Sequence, residues 1–390
     1  MEKYNDRIEG MYCIRCHKSF EVGDYPTGCP CCAKEGHYAS IAFKYRPGGG
    51  IRKEEKGMMR YADFLPYEKI PSMGEGGTPF IQVPRLAEDL GIASFYLKNE
   101  FQNPTGSHKD RTSPFAVNRA VERKIRTAAA ASSGNAGASV AAYSAFAGLN
   151  CDIVVLGSVS PVWEASITST GASLVRVGSP EERYELMDRK EKDNSWYITT
   201  NYLLHPVGSN PWGIQGYKTI AYETYEEFGK DGLPDIILIP VARGDLLWGI
   251  YEGFREMREA GWIDEIPRLA AVEPIPRISR VLSGEDYRGQ FTGDDDLTPS
   301  IGGWTVTYQS ELAVRESRGA AVSVPQKCVM GLVREMAGYG LYLETSSAVI
   351  LGALRELIEK GEVKCTDRVM AVATSHGFKN MPDMASDNRY

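Results

Sequence analysis

Lys109 lies in the stretch Phe101 to Arg111, FQNPTGSHKDR. Asn103-Pro104-Thr105-Gly106 is a turn signal, and Ser107 is a good N-cap for a helix beginning near Lys109. An amine in a first helical turn meets the positive end of the helix dipole, which mildly disfavours its cation. The neutral amine is the form that attacks an aldehyde. Taken alone, a solvated lysine beside Asp110 and Arg111 explains the segment better. Two further segments shift that balance. Ala131 to Gly137, ASSGNAG, follows an Ala-rich stretch and opens another helix. Small residues with one amide side chain and free N–H groups there make either an anion cradle or an ordinary tight loop. Thr374-Ser375-His376-Gly377 follows an apolar run ending at Ala373. A polar loop at the carboxyl end of a parallel strand is the usual ligand position in α/β sheets.

The second chemical constellation is a cysteine cluster. Five of the eight cysteines fall between Cys13 and Cys32. Cys13-x2-Cys16 and Cys29-x2-Cys32 form two knuckles separated by twelve residues. Each supplies two thiolates, which suits closed tetrahedral coordination of a structural Zn²⁺. Gly28 and Pro30 favour the tight turn. Cys31 and His17 are spare candidates, so the ligand set could be permuted. The metal would help a short segment fold that lacks its own core.

These groups need elements to position them. Short apolar runs at Cys151 to Leu156, Ser173 to Val177, Asp235 to Ile239 and Arg368 to Ala373 are expected to be buried parallel strands. Helical stretches alternate with them at Pro114 to Arg126, Ala136 to Gly148, Tyr217 to Glu227, Leu247 to Ala260 and Ser346 to Lys360. The alternation predicts an α/β protein with right-handed crossovers. With 390 residues, two domains and a small appended module are expected. Pro47 to Gly50 reads as a hinge after the Cys-rich start. A net charge of −7 argues against a nucleic-acid surface. No run of 18 or more apolar residues suggests a membrane helix. The polar start MEKYNDRIEG has no apolar core of a secretory signal, so a cytoplasmic location is expected.

Taken together, the motifs resemble the tryptophan-synthase-β family of pyridoxal-phosphate enzymes, fold type II, and among them the threonine synthases. The family's NPTGSFKDR is matched by Asn103 to Arg111, with His108 for the aromatic residue. SSGNAG is intact at Ser132 to Gly137, and GEGGTP at Gly74 to Pro79. Asn210 to Thr219, NPWGIQGYKT, is similar to NPxRIEGxKT; Glu344 to Ala348 parallels EPASA; Thr374 to Lys379 parallels TGHGLK. The resemblance spans residue 60 to the end.

The resemblance implies two open, twisted α/β domains with pyridoxal 5'-phosphate in the cleft between them, plus an N-terminal zinc-ribbon-like element. The zinc-binding element would cover residues 1–45, the large cofactor domain 46–109 and 201–390, and the small mobile domain 110–200. Lys109 would hold the cofactor covalently and move the substrate's α-proton. Asn135 would face the ring hydroxyl and Thr374 the ring nitrogen. The phosphate cup would be Ala242, Arg243, Gly244, Asp245 and Leu246. The α-carboxylate of an amino-acid substrate would lie on Ser132, Ser133, Gly134, Asn135 and Ala136, with His108 beside it. A homodimer is implied as well.

The match has departures. The family's glycine-rich PVGNGGNL is here PVARGDLL, Pro240 to Leu247. Arg243 either contacts the cofactor phosphate or points to solvent and pairs with Asp245. Glu164 stands where the family has a lysine near a substrate phosphate, and Gly213 where it has an arginine. A carboxylate facing the site would repel a phosphorylated substrate. His108 and Trp163 also mark a changed pocket.

The expected activity is β- or γ-elimination or replacement on an amino acid, O-phosphohomoserine being the family default. The alternatives are a β-replacing paralogue such as a cysteate synthase acting on O-phosphoserine, and a threonine or serine dehydratase. From another class comes a non-catalytic regulatory protein that keeps the fold.

Overall fold

A computed structural model describes residues 4–379. Its largest sheet has six strands, ordered Ala320–Ser323, Arg268–Glu273, Ile236–Pro240, Arg368–Ala373, Ser94–Asn99 and Phe80–Gln82. All neighbours run parallel except the short edge strand Phe80–Gln82. Helices cover both faces, so successive residues of one strand enter different cores. Ile237 and Ile239 join one buried cluster, and Ile236 and Leu238 the other. Met370 and Val372 separate from Val369, Ala371 and Ala373 in the same way. A strand apolar at every position is what this double burial requires.

A second, parallel sheet has four strands, ordered Ser173–Val177, Asn150–Leu156, Thr127–Ala130 and Tyr197–Ile198. Its faces are likewise divided, with Ala128, Ala130, Ile153 and Val155 on one side and Ala129, Val154 and Ile198 on the other. The three antiparallel strands Ser19–Phe20, Ile8–Cys13 and Ile41–Tyr45 form a separate small sheet near the N-terminus. It does not stand alone. Phe43 meets Trp212 edge-on at 4.9 Å, and the Trp212 indole N–H donates to the Gly23 carbonyl at 3.1 Å.

The expected helices are present, with shifted ends: Ser113–Glu122, Asn135–Phe146, Lys218–Gly232, Asp245–Glu259 and Thr345–Glu359. The lysine segment corrects one detail. Ser107 does cap a helix, accepting from the Lys109 N–H at 3.4 Å, but His108–Arg111 is a single 3₁₀ turn. The α-helix starts only at Ser113, where Pro114 fits a first turn that needs no N–H.

Candidate active site

Four loops at the carboxyl ends of parallel strands converge on one cleft between the six-stranded and four-stranded sheets. Ser94–Asn99 leads to the lysine segment, Thr127–Ala130 to the asparagine loop, Ile236–Pro240 to PVARGDLL, and Arg368–Ala373 to Thr374. A cavity of about 580 Å³ opens there. Its wall includes His108 and Lys109, Ser132 to Ala136, Ala242 to Leu246, and Thr374. The residues assigned to cofactor and substrate from the sequence therefore line one space, of a size suited to a small organic ligand.

The Lys109 amine donates to the Tyr217 hydroxyl at 3.3 Å. Burial lowers its pKa, opposed by the charges of Asp245 and Glu344. The neutral amine is thus more accessible than in a free lysine. His108 is held on both sides. Its ring stacks on Tyr217 with centroids 5.7 Å apart, and Nδ1 lies 3.1 Å from the Thr374 carbonyl. A carbonyl only accepts, so that nitrogen carries the proton. Burial and the Lys109 charge keep the imidazole pKa well below its usual range.

Asn135 is the hub of the opposite wall. Its amide donates to Glu344 at 3.0 Å, while its carbonyl oxygen accepts from Ser375 at 3.1 Å and Lys379 at 3.0 Å. Thr374 exchanges a hydroxyl hydrogen bond with Ser347 at 2.6 Å.

The loop Ala242 to Leu246 enters the helix Asp245–Glu259, whose first N–H groups have no partner within the helix. Gly244 has φ +78°, and a Cβ there would lie 2.1 Å from the Ser310 hydroxyl, so this position demands glycine. Asp245 accepts from the Ser209 N–H at 3.0 Å, the Ser209 hydroxyl at 2.6 Å and the Gln309 amide at 2.7 Å. The alternative of a solvent-facing Arg243 paired with Asp245 is thereby corrected. Arg243 lines the cavity, donates to the Gly302 carbonyl at 3.3 Å, and has no ion pair among the described residues. Burial and the nearby Arg277 charge bring its pKa down to about 10, so it stays cationic at neutral pH.

Glu164 is a second correction. Its carboxylate sits on the surface, 3.0 Å from Arg176, and outside the cavity wall. The repulsion expected of it does not reach the cleft. Gly213 is buried, and a Cβ there would come within 3.2 Å of the Thr112 carbonyl. Trp163 does line the cavity.

A family model described as "Pyridoxal-phosphate dependent enzyme" matches residues 71–375. A threonine synthase of Methanocaldococcus jannaschii is 31% identical, covering 96% of this chain and 93% of its own length. One from Halalkalibacterium halodurans is 30% identical over 83% of this chain and 89% of its own. The chain belongs to the pyridoxal-phosphate dependent enzymes. Solved structures show the same fold. A threonine deaminase isoform from Solanum lycopersicum superposes with a TM-score of 0.63 at 21% identity, covering 79% of this chain and 85% of its own. A serine racemase from Dictyostelium discoideum gives 0.62 at 21% identity, covering 77% and 92%. The resemblance drawn from the motifs is borne out, as is fold type II.

The residues of this pyridoxal-phosphate dependent enzyme fit the group. An enclosed amine with lowered pKa faces a loop where backbone can approach closely, and the Arg243 guanidinium of that loop has no ion pair among the described residues. The N-terminal thiols pass a similar test for zinc. The sulfurs of Cys13, Cys16, Cys29 and Cys32 all lie within 4.8 Å of one another. Cys13 and Cys32 are 3.6 Å apart, and Cys16 and Cys29 3.7 Å. Tetrahedral Zn–S bonds of about 2.3 Å place sulfurs about 3.8 Å apart. Cys31 and His17 are outside this group.

Sequence reasoning missed the support beneath Lys109. Arg111 is fully buried and donates to Glu100 at 2.6 Å and Glu223 at 2.7 Å, while Lys98 reaches Glu223 at 2.6 Å. Thr78 joins through its hydroxyl to Glu100. Gly216 packs so closely that a Cβ would lie 1.8 Å from the Arg111 carbonyl. Arg183, on the helix Pro180–Lys192, also faces the cavity and was not foreseen. Nothing in PEERYELMDRKEK distinguishes it from the other charges of that helix.

Proposed function

We propose that this enzyme catalyses β- or γ-elimination or replacement on an amino acid, in the manner of a threonine synthase. The observation that carries it is the Lys109 amine, enclosed and with lowered pKa, facing Ser132 to Ala136 across the cleft. Lys109 would anchor pyridoxal phosphate, Asn135 would meet the ring hydroxyl, Thr374 the ring nitrogen, and Ala242 to Leu246 with Arg243 the phosphate. Bound there, the cofactor supplies an electron sink for charge developing at the substrate's α-carbon. A neutral hydroxyl at Thr374 moderates that sink, which suits elimination and replacement better than transamination. N–H groups of Ser132 to Ala136, at the start of the helix Asn135–Phe146, hold the substrate's carboxylate. Lys109 would take and return the substrate's α-proton. His108, neutral and stacked on Tyr217, lines the entry beside Lys109 and excludes water.

The second half of the reading concerns architecture. Residues 110–200 move as a small domain over the substrate, against 46–109 and 201–390, and two chains form a homodimer in the cytoplasm. Among the described residues no helix is long and apolar enough to cross a membrane. Residues 1–45 carry one structural zinc on Cys13, Cys16, Cys29 and Cys32, which metal analysis checks as one zinc per chain.

The decisive experiment mixes the purified protein with O-phosphohomoserine, O-phosphoserine, threonine and serine. The cofactor's visible absorption, phosphate release and ammonia release are followed together. Phosphate release from O-phosphohomoserine with threonine formed is the expected result, and Lys109→Ala abolishes it. Phosphate release from O-phosphoserine alone points to the β-replacing paralogue, and ammonia release from threonine or serine to a dehydratase. Protein that shows no lysine-bound cofactor band even after added pyridoxal phosphate overturns the reading.

A further inference from the structure

The charges that face the cleft do not balance. Its wall presents Lys109, Arg183 and Arg243 against one carboxylate, Asp245. Asp245 is already engaged by Ser209 and Gln309. Arg243 adjoins the loop assigned to the cofactor phosphate, so that phosphate accounts for it. The substrate's α-carboxylate is accounted for by the N–H groups of Ser132 to Ala136. Arg183 has no such assignment.

Arg183 projects from the second turn of the helix Pro180–Lys192, whose start is capped by the Ser179 hydroxyl. Its side chain is half-buried, and its Nε is enclosed without a hydrogen-bond partner. No carboxylate pairs with it among the described residues. Two acids on its own helix are engaged elsewhere: Glu182 accepts from the Gly178 N–H at 2.6 Å, and Asp188 from Lys192 at 2.7 Å. Leu156, Ser160 and Trp163 line the cavity with it, on the side built by the four-stranded sheet. Holding an arginine half-desolvated with no counter-charge is costly unless an anion arrives to pair with it.

We infer that Arg183 is the specificity residue for the substrate's distal end, binding a phosphate carried at Cβ or Cγ of the amino acid. This rests on the reading of the cleft as an amino-acid site and names the chemical class it selects. A planar guanidinium pairs with a phosphate through two parallel N–H···O bonds. The Glu164 carboxylate, tied to Arg176 outside the cavity, does not oppose it.

The test uses two unreactive probes that share an α-amino acid end. One is 2-amino-5-phosphonopentanoate; the other is norvaline, which lacks the phosphonate. Binding of each to the holoenzyme is measured by calorimetry, for the wild type, Arg183→Gln and Arg183→Lys. The wild type should prefer the phosphonate by tenfold or more, the size of a charge-assisted contact. Arg183→Gln should lose that preference and keep its norvaline affinity, and Arg183→Lys should retain part of it. A wild type without the preference, a glutamine variant that keeps it, or equal loss of both probes overturns the inference. The cofactor's visible band, recorded on the same samples, reports separately on the reading of the cleft. Its absence sinks that reading, while the comparison of the two probes still decides Arg183.

Discussion

Four arginines surround the cleft, and they fall into two pairs. Arg111, beneath the lysine segment, spends its guanidinium on Glu100, Glu223 and the Thr219 hydroxyl. Arg277, behind the loop Ala242 to Leu246, donates to the carbonyls of Val241 at 2.9 Å and Gly303 at 2.7 Å and lies 3.5 Å from Glu273. Arg243 and Arg183 face the cavity, where one has a single carbonyl and the other an unpartnered Nε. The same side chain thus serves two purposes, and its partners tell which. A guanidinium whose terminal nitrogens are spent on protein acceptors, even with one nitrogen left over as at Arg277 Nε, fixes backbone that must not move. One without such partners is open to a ligand's charge, the role proposed for Arg243 and Arg183. Burial alone does not separate the pairs, since Arg243 is largely enclosed and Arg111 entirely so.

The comparison breaks first, if it breaks, at Arg111. Arg111→Met removes the cation and leaves Glu100 and Glu223 buried with only Lys98 between them. The expected loss is about 3–5 kcal/mol of stability, the usual cost of stripping one partner from a buried charge network. Urea unfolding followed by tryptophan fluorescence measures it. The network also sets an acid limit. Burial opposes charge on Glu223, but Arg111 and Lys98 outweigh it and hold the carboxyl at about 2. A depressed carboxylate stabilises the fold above its unfolded pKa near 4.3 and loses that contribution as pH falls toward 2. In Arg111→Met this part of the acid dependence shrinks. Unchanged stability in the variant would mean that the network is dispensable.

Arg243→Gln should behave in the opposite way. Its contacts to protein are one carbonyl, so stability should stay within about 0.5 kcal/mol. Cofactor affinity should fall about 10- to 100-fold, as expected when a charge-assisted contact to phosphate is lost. Titration of the apo protein with pyridoxal phosphate, read at the visible band, decides it. If stability falls and affinity holds, Arg243 belongs with Arg111 and the division between the pairs is wrong.

How much of this could be read from the sequence depends on distance along the chain. Lys109, Asn135 and Thr374 were legible because each sits in a compact motif at a strand end, and the strands announced themselves as continuous apolar runs. The cysteine knuckles were legible through their spacing. Arg243 was located but its direction was not, because that depends on Ser209 and Gln309 occupying Asp245 from 36 and 64 residues away. Glu164 misled for the same reason: its partner Arg176 lies on the next strand, and only the fold turns both outward. Arg183 carried no local signal, since a charged helix face looks solvated until a second sheet is placed opposite it. Arg111 has no signal of its own beside Lys109, because its partners come from Thr78, Glu100 and Glu223, scattered across 146 residues at the widest hydrogen bond of the group, from the Gly77 N–H to Glu223.

The cysteine-bearing N-terminal sheet also reaches the cleft by hydrogen bonds of its own. Ser40, just before the strand Ile41–Tyr45, shares its one hydroxyl proton between the Val207 carbonyl and the Gln309 side-chain carbonyl, the latter at 2.9 Å, and Gln309 donates in turn to Asp245 at 2.7 Å. This relay joins the N-terminal element to the residue that opens the helix Asp245–Glu259. Residues in one hydrogen-bonded chain are coupled, whereas independent supports add. The test is a double-mutant cycle of Ser40→Ala and Gln309→Ala on cofactor affinity. Each single change should weaken binding by a few-fold, corresponding to about 0.5–1.5 kcal/mol for a neutral hydrogen bond. The double variant should be little worse than Gln309→Ala alone, because removing Gln309 already disconnects Ser40 from Asp245. Strictly additive losses would show that the N-terminal element holds the cleft through its packing around Trp212 and not through this relay.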